Sequence, residues 1–509
     1  LIKNKLIDSQ HMNIQNLSKN MRKILLMWIL IPGIFLEIGG QEPAGGTGTE
    51  PAGEMVLTLR QAVDHALAYN KSLQHSRLEV ERSRKGVWEA IAQGLPQVEG
   101  NFDYMTYFNY ELAFRFGSGE DFEFTQDQIQ EAMQQTLSQP QFQGITPQDL
   151  LVHQAGNFFD SQLQSMMPPS TILMSDQATA TLGVSQLIFS GQYLVGIQTA
   201  KLARRITEQN LAFSELNIKE SVTGSYYLVL LTRQSLRILE QNHENLLETL
   251  EQTRAMYRTG MAEKTDVDQI RITASQLDNS RRALERTLEL NYNMLRFQLG
   301  AGSDVILHLT DELETLFEEI EPAAALQESL SLDDNISYQI MQSQEEINKK
   351  RLDLEKWSFA PTIAGFYNRN LKIRTTNFDM TPNHQAGLSL SLPIFSSGMR
   401  KVRLDQARIE YDMAQKSRDI LKDQLQLQEK QIRYELQNSL ENYHTQKENV
   451  EVAQDVYDSY RAKYQQGMAS SLELTQANSN YLEAESNYLS ALMEVMNAKL
   501  QLDKLMNTL

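Results

Sequence analysis

A catalyst or a metal centre needs nucleophiles, acid–base pairs or ligands at fixed spacing, and this chain of 509 residues offers almost none. It contains no cysteine, which excludes disulfides, thiolate metal sites and a cysteine nucleophile. Its eight histidines are His11, His65, His75, His153, His243, His308, His384 and His444, and no two stand at metal-ligand spacing. His243 falls on an apolar helical seam and reads as a core or interface residue. There is no glycine-rich phosphate loop and no nucleophile motif. The formal net charge of −18 disfavours nucleic acid as a partner. What does recur is a short pattern. Tyr257-Arg258-Thr259-Gly260-Met261 returns 207 residues later as Tyr464-Gln465-Gln466-Gly467-Met468. A glycine adopts positive φ without strain, so each copy suits a sharp chain reversal with a methionine beside it. The chemistry on offer is that of a turn and a contact surface.

The elements that carry these two turns are themselves a repeat. The segment LGVSQLIFSGQ (182–192) leads into the first turn, and LSLSLPIFSSG (388–398) leads into the second. Phe189 matches Phe395 at an offset of 206, so the alignment slips by only one residue between the landmarks. A repeat of this length is a duplicated half-protein, not a solenoid of short units. Residues 191–256 and 397–463 contain none of the twelve prolines, which predicts two very long helices, each about 100 Å at 1.5 Å per residue. Leu236, Leu239, His243, Leu246 and Leu250 alternate at steps of three and four, as in a coiled-coil seam.

The rest of the chain divides around the repeat. Residues 1–20 precede Met21 as an upstream extension. Residues 21–40 pair Arg22 and Lys23 with the apolar run Ile24 to Leu36 and read as a secretory signal peptide, followed by a Gly/Pro linker at 41–55. The first structural repeat is expected over 56–300. It holds a helix at 58–94, strands at about 96–116 and 178–189, an insertion at 117–177, the long helix 191–256 and a returning helix at 264–299. An acidic connector at 301–323 reads as a solvated stretch. The second repeat, 324–509, holds a helix at about 324–358, strands at about 360–374 and 384–395, the long helix 397–463 and a final helix at 470–507. In each half the two short helices sum to 73 residues, near the length of the long one, so two short helices stacked end to end match one long helix.

Strand 96–116 alternates strictly, with Val98, Phe102, Tyr104, Phe108, Tyr110 and Leu112 on one face and Glu99, Asn101, Asp103 and Glu111 on the other. That aromatic load suits a membrane barrel wall. Four strands cannot close such a barrel, and open edges are not tolerated in lipid. The chain must then assemble around an axis, with eight strands from two copies or twelve from three. The insertion, flanked by strands whose other ends carry helices, falls on the side away from the helices. It is expected to fold as a cap in which Phe158, Phe159, Leu163, Met166 and Met167 are buried, the alternative for so Gln-rich a stretch being a disordered surface loop. The competing reading is a secreted or cytosolic coiled-coil scaffold without transport activity, and membrane fractionation separates the two.

In its duplication, its strand–Ile-Phe-Ser–helix junctions (Ile188 to Gln192, Ile394 to Gly398) and its two Tyr-x-x-Gly turns, the chain over about residues 56–507 resembles the outer-membrane efflux proteins of the TolC family. The resemblance implies a mixed α and β membrane protein: a homotrimer in outer-membrane lipid, with a twelve-stranded β-barrel continued by a periplasmic α-helical barrel. It implies docking to a periplasmic adaptor (membrane fusion) protein and an inner-membrane pump, no enzyme activity and no cofactor. Gly260, Met261, Gly467 and Met468 correspond to the adaptor-contacting tips. Asp266, Tyr464, Glu473 and Gln476 fall at the periplasmic gate, with a closing bond between Tyr464 and Asp266 and a ring of acid at Glu473. An arginine that assists this lock in the family is Ala469 here.

Overall fold

A computed structural model describes residues 53–108, 110–114, 125–138, 140, 170–173, 176–327, 329–375, 379 and 381–509. The upstream extension, the signal peptide and most of the linker lie outside these residues. So does most of the insertion 117–177, including the five residues expected to form the core of a cap.

In chain order the elements are β1 (Glu54–Leu57), α1 (Leu59–Tyr69), α2 (Lys71–Ala92), β2 (Gln97–Met105), β3 (Glu111–Phe114), α3 (Gln126–Leu137), β4 (Ser170–Leu173) and β5 (Gln177–Phe189). Then come α4 (Gly191–Arg258), α5 (Lys264–Leu299), β6 (Ile306–Leu309), α6 (Leu313–Glu319), α7 (Pro322–Ala325) and α8 (Ile336–Trp357). The chain ends with β7 (Thr362–Arg374), β8 (His384–Ser391), α9 (Met399–Gln465) and α10 (Ser471–Met506). The long helices α4 and α9 have 68 and 67 residues. Both bury positions seven apart: Gln209, Leu216, Thr223 and Leu230 on α4, and Leu425, Ile432 and Ser439 on α9. A seven-residue period keeps one stripe against a neighbour over many turns, which is what lets such long helices stay packed. On α4 the predicted seam is buried at Leu246 and Leu250, while His243 is half-buried.

The single helix expected at 58–94 is two helices, α1 and α2. Asn70 sits between them in an extended conformation. Its Oδ1 accepts from the Ser72 and Leu73 amides at 2.9 and 3.2 Å, capping α2, and its Nδ2 donates to the Gln298 carbonyl at 2.8 Å, in the last turn of α5. The second repeat has the same joint. Asn335 caps α8 by accepting from the Tyr338 amide at 3.1 Å and donates to the Leu505 carbonyl at 2.8 Å, in the last turn of α10. Each buried asparagine thus joins the start of one short helix to the end of another, and the end-to-end stacking inferred from the helix lengths is made by these two bonds.

The connector 301–323 is not simply a solvated acidic run. It forms β6, α6 and the start of α7. Strand β6 pairs in parallel with β1, which begins within the expected linker. Val305, Leu307, Leu309, Leu313 and Leu316 are buried with Tyr226, Leu230, Leu436, Leu492 and Met496, so this belt forms the main core of residues 54–509. Asp311 accepts from the Tyr226 hydroxyl at 2.9 Å and the Leu59 amide at 2.7 Å. In β6 the buried Leu307 and Leu309 alternate with the exposed Ile306 and His308, and in α6 Leu313 and Leu316 stand three apart on one helix face.

Strand 96–116 is likewise not continuous. It breaks after Met105, where Phe108 takes φ 52° and the Tyr110 amide bonds the Tyr107 carbonyl at 3.0 Å. Beyond the break β3 pairs with β4 and leaves the main sheet. The last strand ends at Ser391, short of 395, because Pro393 has no amide to continue a ladder. The main sheet is antiparallel in the order β2-β5-β7-β8. Its register aligns Val98 with Val184 and Tyr367 with both Val184 and Ala386. Two rows along in one direction, Phe102 pairs with Ala180 and Ala180 with Leu371, and in the other direction Gly365 pairs with Leu388 and Ile363 with Leu390. Directly paired residues share a face, so one face is mainly apolar across the sheet, with Arg369 and His384 in the row between. The other carries Glu99, Asn101, Asp103, Thr181, Ser185, Asn368, Asn370, Gln385 and Ser389. Val98, Phe102, Leu388 and Leu390 are exposed on the apolar side. Among the described residues no helix is long and apolar enough to cross a membrane.

Candidate functional site

The two Tyr-x-x-Gly-Met turns close the helical hairpins α4/α5 and α9/α10, and their backbones are superimposable in pattern. Gly260 and Gly467 take φ 77° and 73°. The Gly260 and Met261 amides bond the Tyr257 and Met256 carbonyls at 3.0 and 2.9 Å, and the Gly467 and Met468 amides bond the Tyr464 and Lys463 carbonyls at 2.9 and 2.8 Å. This double closure satisfies the last helical carbonyls and requires a left-handed residue. An added Cβ would meet nothing at either glycine, so the demand is one of backbone conformation and not of space. Met261 and Met468 project beyond the turns, 77% and 67% exposed.

The next helices start alike. At α5 the Glu263 amide donates to Asp266 Oδ2 at 2.9 Å. At α10 the Ser470 amide and hydroxyl both donate to Glu473 Oε2 at 2.8 Å, and Ser470 Oγ accepts from the Glu473 amide. Asp266 and Glu473 are therefore repeat mates, the third-residue carboxylates of two capping boxes. The bonds from the Ser470 backbone and side chain, aided by Lys463, hold the exposed Glu473 carboxyl below the usual range.

The hairpins differ in what they do with these parts. Tyr464 is 4% exposed, whereas its mate Tyr257 is 47% exposed. Tyr464 packs in a second core with Leu246, Leu250, Ile270, Leu474 and Ala477, which ties both hairpins together. The expected bond between Tyr464 and Asp266 is not formed. The Tyr464 hydroxyl pairs instead with Thr253 Oγ1 at 2.8 Å, and Asp266 Oδ1 accepts from Ser471 Oγ at 2.6 Å. The reason is position: Asp266 is fixed by its own capping box and faces the start of α10, while the Tyr464 ring turns inward to α4. Burial pushes the Tyr464 phenol up, and the charge of nearby Asp266 adds to that. Gln476 is exposed and donates to Asn480 Oδ1 at 2.9 Å. Sequence reasoning missed Thr253 and Ser471, along with the bridge from Arg461 to Glu248 at 3.1 Å and the stacked pair Tyr457 and Tyr481. Ser471 stands where the first repeat has Lys264, and such departures from the repeat were the visible sign of contacts made by one hairpin alone. Among the described residues no group of three or more His, Asp or Glu is placed to hold a metal ion.

Comparison with known proteins agrees with this architecture. The family described as outer membrane efflux protein matches residues 173–301 and 340–508, more than half of the chain. Outer membrane protein TolC of Vibrio cholerae serotype O1 is 21% identical over 260 residues, which cover 49% of this chain and 59% of that protein, so the match spans under two thirds of the relative's length. Among solved structures, the outer membrane protein VceC of Vibrio cholerae has a TM-score of 0.61 at 15% identity, covering 88% of this chain and 94% of that one. The CmeC outer membrane channel of Campylobacter jejuni has a TM-score of 0.62 at 13% identity, covering 88% and 85%. At these identities the two structures establish a shared fold.

Proposed function

The chain belongs to the outer membrane efflux protein family, and from that premise we propose that it is the outer-membrane exit duct of a tripartite export system. Members of this family are outer-membrane channels with a periplasmic helical tunnel, and they are not enzymes. In the proposed duct three chains each lend the four strands β2-β5-β7-β8 to a twelve-stranded barrel. The carrying observation is the sheet itself: apolar on one face, polar on the other, with β2 and β8 as open edges. Such an edge is not tolerated in lipid, and closure by further copies removes it. The apolar face then meets lipid, and the face bearing Glu99, Asp103 and Asn368 lines the lumen.

A second feature supports assembly. On α9, Val402, Ile409, Met413, Ile420, Leu427 and Tyr434 are exposed at spacings of seven or four. This stripe is separate from the one buried within the chain, and a neighbouring copy would cover it. The coiled-coil scaffold reading gives way to the family assignment. Substrates leave through the lumen after delivery by an inner-membrane pump and a periplasmic adaptor, and Met261 and Met468 are the surfaces offered to the adaptor. Asp266, Tyr464, Glu473 and Gln476 are proposed to border the periplasmic aperture. Domain limits of 56–300 and 324–509 follow the duplication. Native mass measurement of the detergent-solubilised protein tests the reading: a trimer supports it, and a stable monomer or dimer defeats it.

A further inference from the structure

On the apolar face of the main sheet, Arg369 is a cation whose side chain has no partner among the described residues. Arg369 pairs in register with Leu182 on β5 and with His384 on β8, and Leu182 in turn pairs with Gly100 on β2. It therefore shares a face with Phe102, Val184, Leu371, Leu388 and Leu390. The Arg369 side chain is exposed and makes no hydrogen bond or ion pair with a described residue. Beside it the His384 ring is held through Nδ1 by the Tyr367 hydroxyl at 2.8 Å, which leaves Nε2 unpaired among the described residues. Among the described residues, Asp176 is a carboxylate at this face, and it is already engaged by Arg374 at 3.1 Å, Thr106 at 2.7 Å and Tyr104 at 3.1 Å.

Barrel closure does not supply the missing anion. The new neighbour of β8 would be a second copy's β2, whose residues on this face are Val98, Gly100, Phe102 and Tyr104, none of them acidic. A guanidinium on a lipid-facing wall is unfavourable unless it reaches the interface or a counter-ion. We propose that Arg369 and His384 bind the phosphate group of a membrane lipid on the outer wall of the barrel. Arginine's planar fork of donors matches phosphate geometry, and Nε2 of His384 adds one donor when its proton is placed there. Gly100 leaves the adjoining wall without a side chain, and an added Cβ there would meet nothing. The proposal rests on the barrel reading above.

Native mass spectrometry of the detergent-solubilised full chain tests it, with phosphatidic acid, chain-matched diacylglycerol and inorganic phosphate as probes. Wild type is expected to retain phosphatidic acid over diacylglycerol, with inorganic phosphate unable to displace it. Arg369→Gln should lower that occupancy by roughly tenfold, the loss of one charge-assisted bond. Arg369→Lys should keep part of it, which separates binding from folding. An intact trimer whose Arg369→Gln form keeps full occupancy overturns the proposal and leaves the duct reading standing. Displacement by inorganic phosphate overturns the lipid assignment in favour of a free-anion site. Absence of a trimer overturns both readings.

Discussion

Tyr464 and Tyr257 have the same local backbone and opposite fates, because only Tyr464 has a core to enter. Its hydroxyl ties α9 to α4 through Thr253, and Asp266 ties α5 to α10 through Ser471. These two bonds hold the hairpins together at the end that carries Met261 and Met468. Tyr464→Phe removes one neutral bond, worth about 1 kcal/mol, and leaves Thr253 bonded to the Thr249 carbonyl. Asp266→Ala removes the bridge and the cap together. Both should raise single-channel conductance in planar bilayers, Asp266→Ala the more. Unchanged conductance in both variants takes these residues out of the gate. Glu473 makes a pH-dependent prediction. Its carboxyl is held low in the folded chain, so its contribution is fully present above the ordinary glutamate value and is lost as pH falls through the lowered one. Protection of the amides of residues 470–474, taken relative to their intrinsic exchange rates at each pH, should fall over that acidic window in wild type and show no such step in Glu473→Gln.

At the scale of elements, the asparagine joints make each pair of short helices behave as one column beside a long helix. Asn70→Ala loses the cap of α2 and the strut to α5, a cost of about 2 kcal/mol. Asn70→Ser keeps a capping hydroxyl but cannot reach the Gln298 carbonyl, so it should cost about half as much. Amide exchange in residues 71–74 and 296–300 reads the two effects separately: the serine variant should loosen the second set more than the first. Equal protection in both variants and wild type would show that the joints carry no load. Gly300 supports the same joint. It takes φ 73°, and an added Cβ would lie 2.5 Å from the Tyr69 carbonyl oxygen, so close approach as well as conformation demands glycine there.

For the whole molecule, the exposed stripe on α9 and the open sheet edges call for the same thing, further copies around one axis. Ile420→Glu combined with Leu427→Glu places two charges in the stripe without touching the sheet. The trimer expected from native mass measurement should then fall to monomer while helix content by circular dichroism stays near wild type. A trimer that survives both charges would mean that the stripe is not the contact between copies.

The long helices, the two turns and the alternating strands were legible in the sequence because each is a local property: absent proline, a Tyr-x-x-Gly repeat, a period of two. The family likeness was legible for the same reason, since it rests on the order of those local signs. Three features depend on partners far apart in the chain and were not legible. Strand 96–116 alternates throughout yet breaks at Phe108, because what lies beside it changes from β5 to β4. The acids of 301–323 concealed a belt of leucines whose burial is decided by α4, α9 and α10. The partners of Tyr464 and Asp266 were decided by ring direction and by a serine that replaces a lysine in the repeat. Duplication makes two backbones alike, but a side chain's partner depends on which element faces it, and that is known only once the helices are packed.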